Sequence, residues 1–465
     1  TFGVAAQDTS SSLTGAPSKV VSVTPVYSGP YWYVAASGGT ASGTNNSDLG
    51  SKTVPLNHMS SAIESAAAGD TIVMMKGTHT GSNNRGIDWN ASKSLVIMGD
   101  PDYVADSTII DAGARDRHFK FDSGEDTTYQ VIGLTLYNGQ STDDGGGSVA
   151  ISNQSNPVFK KIIFKANVNK ADDWFGGGAV SARNYASPSF YHCTFDGNIV
   201  DRTGTDMNHT AYGGAFMVQN SNSASQFVLF DGCIFKNNVA KGNHEARGGA
   251  LSLYEAQAII INSLFYNNTT YANTNGTSNN SSNGGAIQIT SPGYYDNSLN
   301  QFVGGQVKII NSTIANNLTK TGNTGSMATS GSGVYLDSWS RGEKVWFFNN
   351  IVWGNQRQKA GAFGADPLYT ADEQIYFTNE GGWSKYLNYN VVQNSDDIAS
   401  IQDDDSFETD PTFSDSTNGD YSLANSSSLI GKGGSSFKTV DAPTTDLLGV
   451  VRPNPSGSPP DIGAY

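Results

Sequence analysis

A two-glycine step followed by an alternating strand recurs through the middle of this chain. It appears at Gly146-Gly147-Ser148, Gly177-Gly178-Ala179, Gly213-Gly214-Ala215, Gly248-Gly249-Ala250 and Gly284-Gly285-Ala286, with a degenerate copy at Gly331-Ser332-Gly333. Successive third positions lie 31, 36, 35, 36 and 47 residues apart. A second signature alternates with the first: an apolar residue followed three positions later by Asn, as in Phe164 and Asn167, Phe195 and Asn198, Phe235 and Asn238, Phe265 and Asn268, Ile314 and Asn317, and Val352 and Asn355. Periods of this length, with short alternating strands and no helical pattern, predict a parallel β-solenoid. Each coil pairs with the next and buries its apolar residues in a continuous core.

Composition points the same way. The chain holds 53 Gly and only 15% charged residues, so straight-chain helix formers are scarce and turn formers common. Aromatics at 11% supply the apolar groups a disordered chain lacks. Strand phase follows from the period of two: Val149 and Ile151, Val180 and Ala182, Phe216 and Val218, Leu251 and Leu253, Ile287 and Ile289, and Val334 and Leu336 are assigned inward, with the residues between them to solvent. The Asn column is assigned to a turn where its amides satisfy backbone groups of the neighbouring coil. Asn57 to Ala68 predicts a helix, N-capped by Asn57 and stopped at Gly69, that covers the open edge of the first coil.

These repeats resemble those of secreted right-handed parallel β-helix proteins of the pectin-lyase-like superfamily. Within that superfamily they resemble especially bacterial surface proteins with a C-terminal anchoring region, and they are similar to the Gly-Gly-Ala and Phe-x-x-Asn repeats of polymorphic outer-membrane autotransporters. The motifs Tyr31-Trp32-Tyr33-Val34, Gly69-Asp70-Thr71-Ile72-Val73 and Asp461-Ile462-Gly463-Ala464-Tyr465 extend the match over most of the chain. The resemblance implies an all-β right-handed parallel β-helix with a short N-terminal capping helix, exported or displayed at the cell surface. It predicts a linker or added strand over 1–29, a capped body over 30–356, and terminal coils with a C-terminal cap over 357–465. The closing motif breaks off at Tyr465, which leads to the expectation of a longer natural chain. No basic segment precedes an apolar one, so an export signal is expected to have been removed.

The net charge of −15 disfavours nucleic acid and anionic membrane surfaces as partners, and no apolar run approaches the length of a membrane span. No Gly-x-Ser-x-Gly elbow occurs, and the glycine steps open strands without the Lys-Ser/Thr of a phosphate loop. Cys193 and Cys233 each stand two residues before a core Phe, so they stack on adjacent coils. Free buried thiols and a disulfide both fit that spacing. The run Asp403-Asp404-Asp405 lacks the alternation and Gly of an EF-hand loop and reads as a solvated acidic loop.

One polar cluster stands out. The loops before successive glycine steps supply Asp143 and Asp144, then Asp172, Asp173 and Trp174, then His209 and Tyr212, then His244, Glu245 and Arg247. The outward row of the following strand adds Ser152, Arg183, Gln219, Tyr254, Thr290 and Asp337. Coils stack about 4.8 Å apart, so these residues gather on one edge of the solenoid. Three readings compete: solvated loops, a glycan- or surface-binding face, and a polysaccharide lyase or glycoside hydrolase. A sugar chain would stack on Trp174, Tyr212 and Tyr254 and hydrogen-bond to Gln219 and Asp337. A lyase would use His209 or His244 as base, Arg183 and Arg247 as carboxylate neutralisers, and Asp172, Asp173 and Glu245 as Ca²⁺ ligands. A hydrolase would use Asp173 and Glu245 as its carboxylate pair. Ca²⁺ is the only cofactor these residues suggest; the partner they suggest is a polysaccharide or cell-surface glycan, and the oligomeric state stays open.

Overall fold

The computed structural model describes residues 26–41, 44, 46–89, 93–143, 145–171, 176–204, 209–221, 225–272, 281–321, 328–358, 360–361, 364–365, 369–370, 374–378, 382–394, 406–453 and 455–465. Its strands form long stacks that the chain visits in turn. One coil runs through sheet I (Val158–Lys160), sheet II (Ile163–Lys165), sheet III (Val168–Asn169) and sheet V (Val180–Ala182), then re-enters sheet I at Ser189–Tyr191. Sheets I, II, III and V hold 11, 10, 8 and 9 strands. The pairing is parallel except where Tyr369–Thr370 closes sheet III against Gln356–Gln358. Crossovers between parallel strands take the right hand, and the chain winds as a right-handed parallel β-helix.

Each repeat signature has a structural cause. Between Phe and Asn the chain turns from sheet II to sheet III through a left-handed residue, with φ of 66° at Gly197, 58° at Asn237 and 54° at Asn267. Gly and Asn adopt that conformation at least cost. The following Asn side chains form a buried ladder: Asn167, Asn198, Asn238, Asn268 and Asn317 each donate Nδ2 to Oδ1 of the next at 2.9 Å, and Asn355 in turn donates Nδ2 to Gln374 Oε1 at 2.8 Å. In the glycine step, Gly213, Gly248 and Gly284 have φ of 62–68°. A Cβ on Gly214 would collide with the carbonyl of Gly249, and one on Gly249 with that of Gly285, so the second glycine lets coils approach.

The core is the predicted inward set, all buried, together with stacked rings. Phe164, Phe195, Phe235 and Phe265 lie 4.5–4.7 Å apart and within 8° of parallel, the spacing of the strands that carry them. Cys193 and Cys233 are free thiols buried at the sheet I to sheet II corner, and burial raises the Cys233 thiol well above its usual range. Asn268 and Asn311, which head Asn-x-Ser/Thr triplets, are both buried.

Two expectations need correction. The helix is shorter than expected, Met59–Ser65, and Asn57 does not cap it: the Met59 amide donates to Asn84 Oδ1 at 2.8 Å, so the cap comes from the next coil. The residues between the inward positions of sheet V do not all face solvent. Ser181, Met217, Ser252 and Gln288 are buried, the last three on coils that carry a strand of an additional sheet, as described below.

The C-terminal segment contributes the last strands of sheets I and II, Trp383–Asn388 and Val391–Val392. Residues 406–453 and 455–465 then lie along the outside of sheets I and II. Tyr421, Leu447 and Ala464 pack on Leu264 and Ala315, and Val440 packs with Ile310, Trp346 and Phe348. Arg452 is buried, and its Nη atoms donate to Asn262 Oδ1 at 3.3 Å and to the Gly463 carbonyl at 3.0 Å. Among the described residues it forms no ion pair with Asp446 or Asp461. Asp461 instead accepts from the Gly431 amide at 2.6 Å.

His118 takes the place of a ladder amide near the N-terminal end. Its Nε2 faces the carbonyls of Ile110 and Tyr137 at 2.9 and 3.2 Å and is assigned as the donor; Nδ1 then accepts from the Ser148 hydroxyl at 2.9 Å. Burial depresses this imidazole from 6.5 to about 4. Between those values the unfolded chain binds a proton that the folded chain refuses, so stability falls as pH is lowered through that window, by about 3 kcal/mol in all. His118→Gln is expected to flatten that part of the curve of unfolding free energy against pH. An unchanged slope in denaturant titrations between pH 7 and 4 would refute the assignment.

Candidate functional site

Four coils carry an extra strand between sheets III and V: Thr210–Tyr212, Glu245–Arg247, Ser281–Asn283 and Ala328–Ser330, which pair in register as sheet IV. Sheets III and IV face each other as a flange with its own small core of Val200, Ala211, Ala240 and Ala246. The Ser282 hydroxyl continues it by donating to the Thr270 carbonyl at 3.0 Å. By the strand period of two, the residues on either side of Ala211 and Ala246 point away from that core. These are Thr210, Tyr212, Glu245 and Arg247, and they look onto the outer side of sheet V. There Gln219, Tyr254, Thr290 and Asp337 make one row, and Met217, Ser252, Gln288 and Tyr335 make the next. Flange and sheet V thus form two walls of a corner.

Arg247 is the centre of that corner. It pairs with Glu245 at 3.0 Å, with both side chains less than one-fifth exposed. Glu245 also accepts from Thr210 Oγ1 at 3.2 Å and from Ser281 Oγ at 3.3 Å. Burial opposes the guanidinium charge, but Tyr212, Glu245, Tyr335 and Asp337 around it outweigh burial and hold its proton more firmly than usual. Its Nε is buried and has no hydrogen-bond partner among the described residues. A donor of this kind leaves room for the oxygen of a water or a ligand. Burial pushes the Tyr254 and Tyr335 phenols up to about 12, helped by Tyr212 and Asp337 respectively, and raises that of Tyr212. All three remain O–H groups across the neutral range.

The wall of sheet V continues into a loop that a buried carboxylate holds. Glu343 Oε1 accepts from the Ser291 hydroxyl at 2.5 Å and the Trp339 amide at 3.2 Å; Oε2 accepts from the Ser338 hydroxyl at 3.0 Å and the Arg341 amide at 2.8 Å. The loop presents Trp339, 42% exposed, edge-on to Tyr254 with ring centroids 5.6 Å apart. Arg341 lies over the Trp339 ring at 4.7 Å and pairs with Glu255 at 2.7 Å. An aromatic face flanked by a fixed cation, a carboxylate and phenolic hydroxyls is the arrangement that holds a sugar ring, apolar face down and hydroxyls outward.

No family model and no curated protein matches this chain. Among solved structures, it is similar to pectate lyase Pel9A, with 15% identity over 95% of this chain and 97% of that one and a TM-score of 0.44. It is also similar to XylC in complex with xylose, with 11% identity over 94% and 98% and a TM-score of 0.34. A pectin methylesterase variant in complex with a hexasaccharide shares 10% identity over 85% and 98%, with a TM-score of 0.29. The likeness is one of fold.

Of the residues singled out from sequence, the corner brings together Tyr212, Glu245, Arg247, Tyr254 and Asp337. Gln219 stands one coil from Tyr254 in the same row, and half-buried Arg183 follows the strand residue paired with Val218, another coil back. His209 and His244 immediately precede the paired strands Thr210–Tyr212 and Glu245–Arg247, so they occupy equivalent half-buried positions on adjacent coils at the flange rim. Asp172, Asp173, Trp174 and the run Asp403-Asp404-Asp405 lie outside the described residues. Glu245, taken as a Ca²⁺ ligand, is engaged with Arg247. Among the described residues no three His, Cys, Asp or Glu side chains converge as a metal site. Sequence reasoning missed Tyr335, Trp339 and Arg341. Tyr335 falls at a position assigned to solvent, and Trp339 and Arg341 sit just past the last row residue, Asp337.

Proposed function

We propose that this solenoid is an extracellular or cell-surface module that contacts polysaccharide, and that the corner from Arg247 to Trp339 is its contact face. The observation that carries the reading is the exposed Trp339 ring, set against Tyr254 and Arg341 by a loop fixed on a buried carboxylate. A large aromatic held in place but left half-uncovered costs little further order on binding. No helix among the described residues is long and apolar enough to cross a membrane. Adhesion to a glycan-coated surface is the role this face would serve.

Trp339→Ala and Tyr254→Ala are each expected to weaken retention on the bound polysaccharide at least tenfold, with little loss of thermal stability for the exposed Trp339. The check is a panel of soluble and insoluble polysaccharides in affinity electrophoresis and pull-down. Equal retention of both variants with the parent protein would sink the proposal.

A second reading, cleavage of the bound chain, is favoured by the two carboxylates of Glu245 and Asp337 about one buried cation. It predicts new reducing ends or unsaturated products on the retained polysaccharide, lost in Glu245→Gln and Asp337→Asn. Intact substrate after long incubation would leave the module as a binder.

A further inference from the structure

Arginine is unevenly placed in this acidic chain. Of nine arginines, six stand in the part of a coil that leads into a strand of sheet V, on one edge of the solenoid: Arg85, Arg115, Arg117, Arg202, Arg247 and Arg357. The flange stands on this edge, and the N-terminal continuation of the edge holds an open cavity of about 430 Å³ lined by Thr80, Ser82, Arg85, Asp111 and Arg115, with two glycines. The backbone explains why the cations meet there. The amides of Gly86 and Ile87 donate to the carbonyls of Arg117 and His118 at 2.7 and 3.0 Å, which stacks Arg85 against the coil that carries Arg115 and Arg117.

The three arginines differ in how they are satisfied. Arg117 is committed: its guanidinium reaches Asp143 and donates to the Ser141 hydroxyl at 3.0 Å. The guanidinium groups of half-buried Arg85 and exposed Arg115 have no hydrogen-bond or ion-pair partner among the described residues. Of the nearby carboxylates, Asp111 accepts from the Gly113 amide at 2.8 Å and Asn138 Nδ2 at 3.3 Å, and Asp116 accepts from the Arg117 amide at 2.7 Å. Two unneutralised guanidinium forks beside two hydroxyl-bearing side chains in a concave site match a planar or tetrahedral oxyanion, which each fork can grip with two N–H groups.

We propose that this cavity binds an oxyanion carried by a sugar, either a uronate carboxylate or a sulfate ester. The polysaccharide of the preceding section is then an acidic one, held at its far end here. From Phe119 the ladder of sheet V reaches Leu251 in four steps, so the cavity lies about 20 Å along the same edge from the Arg247 corner, a span of several sugar residues. The extended-chain part of this statement rests on the glycan reading; oxyanion binding in the cavity does not.

The test uses probes of two sizes on the intact chain. A uronic acid monosaccharide and inorganic sulfate are too small to span both sites, and separate the two oxyanion sources. Oligosaccharides of equal length, one uronate, one sulfated and one neutral, report on the extended site. In calorimetric titration, Arg85→Gln/Arg115→Gln is expected to weaken the acidic small probes and the matching acidic oligosaccharide at least tenfold, and to reduce the salt dependence of their binding. The neutral oligosaccharide should be unaffected. Trp339→Ala should weaken the oligosaccharides and leave the small probes unchanged, so each site can fail alone. Neither side chain is fully buried, and an unaltered unfolding midpoint confirms that the double variant is folded. Acidic probes that bind no better than neutral ones, or that bind the double variant as tightly as the parent, overturn the proposal.

Discussion

Replacing Asn238 by Ala is expected to lower the free energy of unfolding by about 4 kcal/mol or more. Its Oδ1 accepts from the Asn198 amide at 3.0 Å and from Asn198 Nδ2 at 2.9 Å, and its Nδ2 donates to the Phe195 carbonyl and to Asn268 Oδ1, each at 2.9 Å. The side chain is fully buried, so Ala removes four buried hydrogen bonds: the Asn198 amide and the Phe195 carbonyl lose their side-chain partner, while Asn198 Nδ2 keeps only the Phe164 carbonyl and Asn268 Oδ1 only the backbone amide of residue 238. Each group left unpaired in this way costs about 1–3 kcal/mol, less whatever an entering water recovers. Asn238→Asp should be no milder, because it sets a carboxylate oxygen against the Phe195 carbonyl and Asn268 Oδ1. The neighbour Asn237 provides the control: it holds the left-handed corner and one bond to Asp196 at 2.9 Å, so Asn237→Ala should cost about 1–2 kcal/mol. Denaturant unfolding of the three variants decides it. Equal costs at positions 237 and 238 would mean that the ladder carries no special share of the stability.

The ladder also shows why so much of this fold could be read from the chain. Its causes are local and recur in most coils: a left-handed corner that favours Gly or Asn, a buried side-chain amide that is usually Asn, and a close approach that only Gly permits. Sheets III and IV were not readable in the same way. Their strands are two to four residues long, and apart from Val200 their facing positions hold mostly Ala, Thr and Ser, so alternation carries little apolar contrast. Because the flange went unseen, Met217, Ser252 and Gln288 were assigned to water. The path of residues 406–453 and 455–465 did leave a trace, in apolar residues at outward positions such as Leu264, Ile310 and Trp346 and in the unbroken run from Val345 to Phe348. Those residues mark the coils whose outer faces the C-terminal segment covers.

The corner was legible where residues share an offset in successive repeats, which is why Glu245, Arg247, Tyr254 and Asp337 were found together. Trp339 was not, because its position depends on a contact across 52 residues, between the Ser291 hydroxyl and Glu343.

That dependence predicts that Glu343→Gln will abolish polysaccharide retention as fully as Trp339→Ala, although Glu343 is buried and touches no solvent. The amide end can replace only one of the two oxygens. The other becomes an NH₂ facing two donors, either Ser291 Oγ and the Trp339 amide or Ser338 Oγ and the Arg341 amide. Losing charge-assisted bonds of this kind costs about 1.5–3 kcal/mol each, enough to release the loop that presents Trp339 and Arg341. The pH dependence separates this from a general loss of fold. Burial raises the Glu343 carboxyl, but the bonds from Ser291, Arg341 and Ser338 outweigh it and hold the group below its ordinary 4.5. Its contribution is therefore complete above that value and is lost only as pH falls through the lower folded value, whereas His118 acts between 6.5 and about 4. Retention by the parent protein should persist at pH 5 and fail only once the pH has fallen below the ordinary glutamate value of 4.5, accompanied by a change in Trp339 emission that Trp339→Phe removes. Glu343→Gln should show neither retention nor that emission step at any pH. Retention by Glu343→Gln at the parent level would show that the loop stands without its carboxylate.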